Sequence, residues 1–171
     1  MIFTTTTEYA IRGLAELAGR AGDGRSMMLD DLVSGTTLPR DFLAKVFQRL
    51  VKAGLLRSAK GRGGGFALGR PAHEISLRDI IEAIDGPIVL DRCAVGLDKC
   101  NDQQPCPQHD LYKPIRQRLK EYLATTTVAD LSSSLKTKSA WLRTIAAREE
   151  ARSRASALQS ATTASTSNGS T

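Results

Sequence analysis

Three cysteines and a histidine fall in one short stretch, Cys93-x6-Cys100-x5-Cys106-x2-His109, and the chain has no other cysteine. Thiolates favour soft or borderline centres, chiefly iron–sulfur clusters and zinc. Cys3His is also a structural zinc set, although the usual Cys-x2-4-Cys knuckle is absent here. These offsets do not fit one face of a helix, and Gly96, Asp98, Asn101 and Pro105 interrupt the stretch. It therefore reads as a loop wrapped around a cargo, for which metal binding doubles as local folding. Spacing alone leaves three states open: an iron–sulfur cluster, zinc, or plain thiols.

A second chemical feature lies upstream. Residues 40–70 carry eight Lys/Arg (Arg40, Lys45, Arg49, Lys52, Arg57, Lys60, Arg62, Arg70) against one acid, Asp41. A local basic field of this kind is the footprint of a phosphate-backbone binder. The whole-chain charge of +6 also favours an anionic partner, but by itself leaves nucleic acid and membrane surface open. No apolar run approaches the length of a bilayer span, and no secretory leader pattern is visible. Three cysteines cannot all pair within the chain, so a reducing cytoplasm is the expected location. An enzyme is not expected, because two histidines (His73 and His109) come with no paired acid/base motif.

The elements that must position these groups are legible as hydrophobic periodicity and punctuation. Threonines cap a first helix over residues 4–20, with Ala10, Leu14, Leu17 and Ala18 inward. Residues 28–33 give a short second helix, stopped at Gly35. Pro39 is placed as the first residue of a third helix, with Phe42, Leu43, Val46, Phe47 and Leu50 as its buried stripe. Residues 55–58 and 66–68 predict two strands joined by a glycine-rich tip, Lys60-Gly61-Arg62-Gly63-Gly64-Gly65. Ser76 caps a fourth helix carrying Ile80, Ile81 and Ile84. After the cysteine loop a helix is expected from Pro114 to about residue 126, with Ile115, Leu119, Tyr122 and Leu123 on its apolar side. A further amphipathic segment extends to about residue 150. Residues 151–171 are dominated by Ala, Ser, Thr and Gly and predict a disordered tail.

This order gives a mainly α fold with a small β-hairpin wing: a winged helix-turn-helix (1–90), the cysteine loop (91–110), a long helix with a following segment (111–150), and the tail (151–171). A single helix fits the major groove, so Arg40, Lys45, Gln48 and Arg49 on the exposed face of the third helix are candidate DNA contacts. Lys60 and Arg62 at the wing tip suit a narrow minor groove. The glycine run is not followed by Gly-Lys-Ser/Thr and leads into a strand, which argues against a nucleotide-phosphate loop.

The segment from Phe42 to Leu50 (FLAKVFQRL), then Lys52-Ala53-Gly54-Leu55, the Lys60–Phe66 wing and the opening Tyr9-Ala10-Ile11-Arg12 closely resemble the Rrf2 family of bacterial transcription regulators. The three-cysteine loop fits that likeness, which spans roughly residues 1–140. The resemblance implies a homodimer on an imperfect palindrome of double-stranded DNA, with the long helix crossing its twin. It implies DNA contacts at the start of the third helix (Pro39, Arg40, Asp41, Lys45) and at Lys60, and repression as the commoner outcome. It also implies that Cys93, Cys100 and Cys106 hold an iron–sulfur cluster reporting redox state, nitric oxide or iron–sulfur supply. Some members work without a cluster, through thiol oxidation or a partner protein. His109 matches the histidine of the biogenesis-regulator type and implies a [2Fe–2S] cluster. Glu8 stands where the nitric-oxide-sensing type has an acidic ligand given by the other subunit, which implies [4Fe–4S]. Carboxylates are hard ligands, so chemistry favours His109, and a salt bridge with Arg12 is the expected role for Glu8. Ala44 replaces a recognition-helix glutamate of the biogenesis type, which implies a different operator.

Overall fold

A computed structural model describes residues 3–61, 63–90, 95–96, 102–103 and 105–138. Packing divides the chain into two units, residues 1–133 and 134–171. In the second, residues 134–138 are helical. The first unit holds helices α1 (Thr5–Ala21), α2 (Leu29–Val33) and α3 (Arg40–Lys52), strands β1 (Leu56–Ala59) and β2 (Gly65–Leu68), then α4 (Leu77–Asp85) and α5 (His109–Thr125). Among the described residues no helix is long and apolar enough to cross a membrane.

The threonine run does begin α1: the Thr4 hydroxyl accepts from the Thr7 amide at 3.3 Å. Ala10, Leu14 and Leu17 of α1 pack with Leu29 and Leu32 of α2 and with Leu43, Val46, Phe47 and Leu50 of α3 in one core. That core crosses at Gly13, where a Cβ would lie 2.7 Å from Phe47 Cε1 and 2.9 Å from Leu43 Cδ1. The glycine thus sets how closely the first and third helices approach. Arg20 ties α1 to the end of α2 by donating to the Leu32 carbonyl at 2.8 Å, one of the orphan carbonyls of a helix C-terminus.

β1 and β2 form an antiparallel hairpin with Leu56 opposite Leu68 and Ala59 opposite Gly65. Met27 pairs with Phe66 through two 2.9 Å bonds, so the hairpin is anchored to the segment before α2. Gly65 makes this possible. Its φ is +121°, and any Cβ there would sit 2.2 Å from the Met27 carbonyl oxygen. At α4, Ser76 and Asp79 form a reciprocal capping box, as the sequence predicts for Ser76. The chain after α5 returns to the winged unit: Leu77 N–H donates to Thr126 O and Val128 N–H to Ile75 O, both at 2.9 Å. The result is the expected mainly helical winged helix-turn-helix.

Three local expectations need correction. Phe42 is not part of the buried stripe; it is 38% exposed and packs edge-on to Tyr9 at 5.3 Å. Pro39 is the residue before α3, with extended backbone, not its first helical residue. Most consequentially, α5 begins at His109 and carries Pro114 inside it. The proline forfeits one ladder bond near the helix start, and the helix continues through it back to His109, while Leu119 and Leu123 pack farther along. The amphipathic segment beyond residue 138, and the tail, lie outside the described residues.

Candidate nucleic-acid interface and cysteine loop

α3 presents Asp41, Lys45, Gln48 and Arg49 to solvent, because Leu43, Val46, Phe47 and Leu50 claim the opposite face. Pro39 and Arg40 are exposed at its start, and Lys60 is exposed at the end of β1. Arg62 lies outside the described residues. The structure thus places the basic candidates on one helix and its neighbouring wing, but their local partners differ. Arg40 forms an ion pair with Asp30 of α2 and reaches Asp41 Oδ1 at 3.1 Å. The Arg40 hydrogen bond holds the Asp30 carboxyl below the usual carboxylate range, and Asp30, then Asp41, push the guanidinium upward. This pair is exposed, so it adds little stability. Arg49 lies along the surface and donates to the Ile84 carbonyl at the end of α4.

Of the proposed metal ligands, Cys93 and Cys100 lie outside the described residues. Cys106 is a half-buried free thiol. His109, expected in an irregular loop, instead opens α5 and is only 4% exposed. Its amide donates to the Cys106 carbonyl at 2.9 Å, so the last two candidate ligands bracket one turn. His109 Nε2 lies 2.7 Å from Asp102 Oδ1, and Lys113 Nζ lies 2.6 Å from the same oxygen. Hydrogen bonds from Lys113, then His109, hold the Asp102 carboxyl below its ordinary range. Sequence reading missed Asp102; its place between Cys100 and Cys106, seven residues before a histidine, was the available signal.

The donor set suits a soft metal centre. A carboxylate that orients a histidine is the usual outer-shell arrangement around a metal-binding imidazole. Among the described residues no group of three His, Cys, Asp or Glu side chains converges. Glu8 sits half-buried in the first turn of α1. Arg12 does not supply its expected salt bridge: its guanidinium donates to Thr37 Oγ1 at 3.0 Å, and no Glu8–Arg12 pair occurs among the described residues.

The profile of the Rrf2 family, described as "Iron-dependent Transcriptional regulator", matches residues 3–134. The HTH-type transcriptional regulator IscR of Yersinia enterocolitica is 30% identical over 131 residues, covering 77% of this chain and 79% of that protein. Among solved structures, CymR, the global cysteine regulator of B. subtilis, superposes with a TM-score of 0.63 at 27% identity, over 77% of this chain and 96% of that one. IscR of T. potens superposes at 0.57 with 23% identity, over 77% of this chain and 86% of that one, a likeness of fold alone.

Proposed function

This chain belongs to the Rrf2 family of transcriptional regulators, and we propose that it is a homodimeric repressor whose affinity for an imperfect palindrome depends on an iron–sulfur cluster. One observation carries this reading. Cys106 lies just before α5 and His109 opens it, and α5 exposes an apolar stripe of Leu111 (67%), Ile115 (61%) and Tyr122 (49%) while Leu123 is buried on the chain's own core. Leu111, Ile115 and Tyr122 recur at helical spacing, which suits a second copy of the same helix. The ligand loop and the dimer seam therefore share one element.

Cys93, Cys100 and Cys106 would hold the cluster, with His109 as fourth ligand and Glu8 of the second subunit as the alternative. A bound cluster supplies a centre that is gained, lost or altered with iron, redox state or nitric oxide. The chain's part is to convert that state into helix placement. Half-sites lie about one DNA turn apart, so a small shift in the spacing of two recognition helices changes affinity strongly. In this reading Lys45 and Gln48 meet base edges, Pro39, Arg40 and Asp41 approach the groove wall, and Lys60 and Arg62 reach the minor groove.

The likeness to CymR favours a second reading, in which the loop holds zinc or free thiols and a partner protein or thiol oxidation sets affinity. An absorption spectrum of protein purified without oxygen, with iron, sulfide and zinc assayed on the same sample, separates the two. Visible bands with matching iron and sulfide support the cluster, and holo and apo protein should then differ in an operator gel shift. Colourless protein that takes up no iron on reconstitution overturns it.

A further inference from the structure

We infer that Arg49 is a positioning residue for the recognition helix, not one of its DNA contacts; this rests on the regulator reading above. Arg49 lies in the last turn of α3, and its guanidinium donates across 35 residues of sequence to the Ile84 carbonyl. Ile84 O is one of the four carbonyls that the C-terminus of α4 cannot satisfy internally, and a cation there also meets the negative end of the helix dipole. The next residue, Asp85, carries the bond chain onward. Its carboxylate accepts from Thr4 Oγ1 at 2.7 Å and from Thr7 Oγ1 at 2.8 Å, at the N-terminus of α1. Thr7 is fully buried, so this contact is part of the interior edge of the unit. Three helix ends thus meet at one polar junction: the last turn of α3, the C-terminus of α4 and the first turn of α1.

The apolar core between these helices fixes how near they lie and which face of α3 turns inward. Hydrogen bonds are directional, so the Arg49 bond can trim that setting at the last turn of α3. The opposite end carries the exposed Arg40–Asp30 pair, which contributes little, and Phe42 packed edge-on to Tyr9. Lys45 and Gln48 lie within one turn of Arg49 on the same helix. Their reach into a groove depends on the setting that Arg49 maintains.

The test begins with a random-sequence duplex pool and the full-length wild-type protein. The enriched duplex is then bound by Arg49→Ala and Arg49→Lys at several salt concentrations, and against a panel of single-base variants. Active fractions are set by stoichiometric titration. Arg49→Ala should bind about tenfold more weakly, the order expected for one charge-assisted hydrogen bond. The salt slope and the ranking of single-base variants should stay unchanged, and Arg49→Lys, which keeps a cationic donor, should recover most of the affinity. A salt slope smaller by about one would make Arg49 a phosphate contact, and relaxed preference at one base pair would make it a base contact. Either outcome, or unchanged affinity, overturns the inference. Should Arg49→Ala fail to fold, Asp85→Ala loosens the same junction without altering α3, and it must reproduce the loss at constant slope or the inference fails. A wild-type protein that enriches no duplex overturns the regulator reading itself, and this inference with it, before any variant is compared.

Discussion

Replacing Gly13 with alanine sets two opposing effects against each other. In a helix interior alanine is favoured over glycine by about 1 kcal/mol. The new methyl would lie 2.7 Å from Phe47 Cε1, 3.1 Å from Phe47 Cζ and 2.9 Å from Leu43 Cδ1. Normal carbon contacts are about 3.5–4.0 Å, so the pair of helices must open by about 1 Å. Neither neighbour yields easily. Phe47 and Leu43 are both fully buried, and Phe47 is held edge-on against Phe66 with centroids 5.1 Å apart. Overpacking a filled core costs about 1–3 kcal/mol, and this site belongs in the upper half of that range. The net expectation is a loss of about 1–2 kcal/mol, or a melting point lower by roughly 4–8 °C for a unit of this size. Urea unfolding at one fixed protomer concentration measures it, since association contributes to apparent stability. DNA affinity should fall as well, because the displaced element is α3. A Gly13→Ala protein as stable as wild type, or more so, would refute the claim that this glycine sets the α1–α3 distance.

Lys45→Ala should weaken specific binding by about 1–3 kcal/mol and relax preference at one base pair; an unchanged affinity in a gel shift removes Lys45 from the reading set. Ser76→Ala breaks the capping box, in which the Ser76 hydroxyl accepts from the Asp79 amide at 3.1 Å, and should cost about 1 kcal/mol in a denaturant titration. Burial alone would raise the Asp85 carboxyl, but hydrogen bonds from Thr4 and Thr7, with Arg49 nearby, outweigh it and hold it below the ordinary value. A carboxyl depressed in the folded state contributes stability above its unfolded pKa, and loses it as pH falls through the folded value. Asp85→Asn should therefore flatten the acid limb of the stability–pH curve; wild-type and variant curves that stay parallel below pH 4 would contradict this.

Much of the fold was legible because local chemistry and tertiary packing agree. The Thr4 and Ser76 caps, the buried stripe from Leu43 to Leu50 and the Gly-tipped hairpin each follow from a period or a backbone requirement that neighbours in sequence can state. The clustering of basic side chains on α3 and the wing follows from the same periodicity. What sequence could not state was where long side chains end. Arg49 has the same helical spacing as Lys45, yet its guanidinium stops on a carbonyl 35 residues away. Arg12 stands one turn after Glu8 but reaches Thr37 instead. Phe42 continues the apolar stripe by type, but its ring meets Tyr9 edge-on and stays 38% exposed.

The loop shows the same division. Residue types determined a soft-ligand stretch, since thiols and imidazole are chosen by their own chemistry. Only the tertiary structure placed His109 as the first residue of a helix, buried against Asp102, because helix ends depend on what the following face packs upon. Pro114 looked like a starting point to a rule that scores single positions. Leu119 and Leu123 pack on α4 through Leu77 and Ile81, and the helix continues back past the proline to the buried His109. A proline inside a helix costs about 3 kcal/mol against alanine, so a rule that scores single positions starts the helix there, and the buried His109 on Asp102 is a tertiary contact that such a rule cannot read.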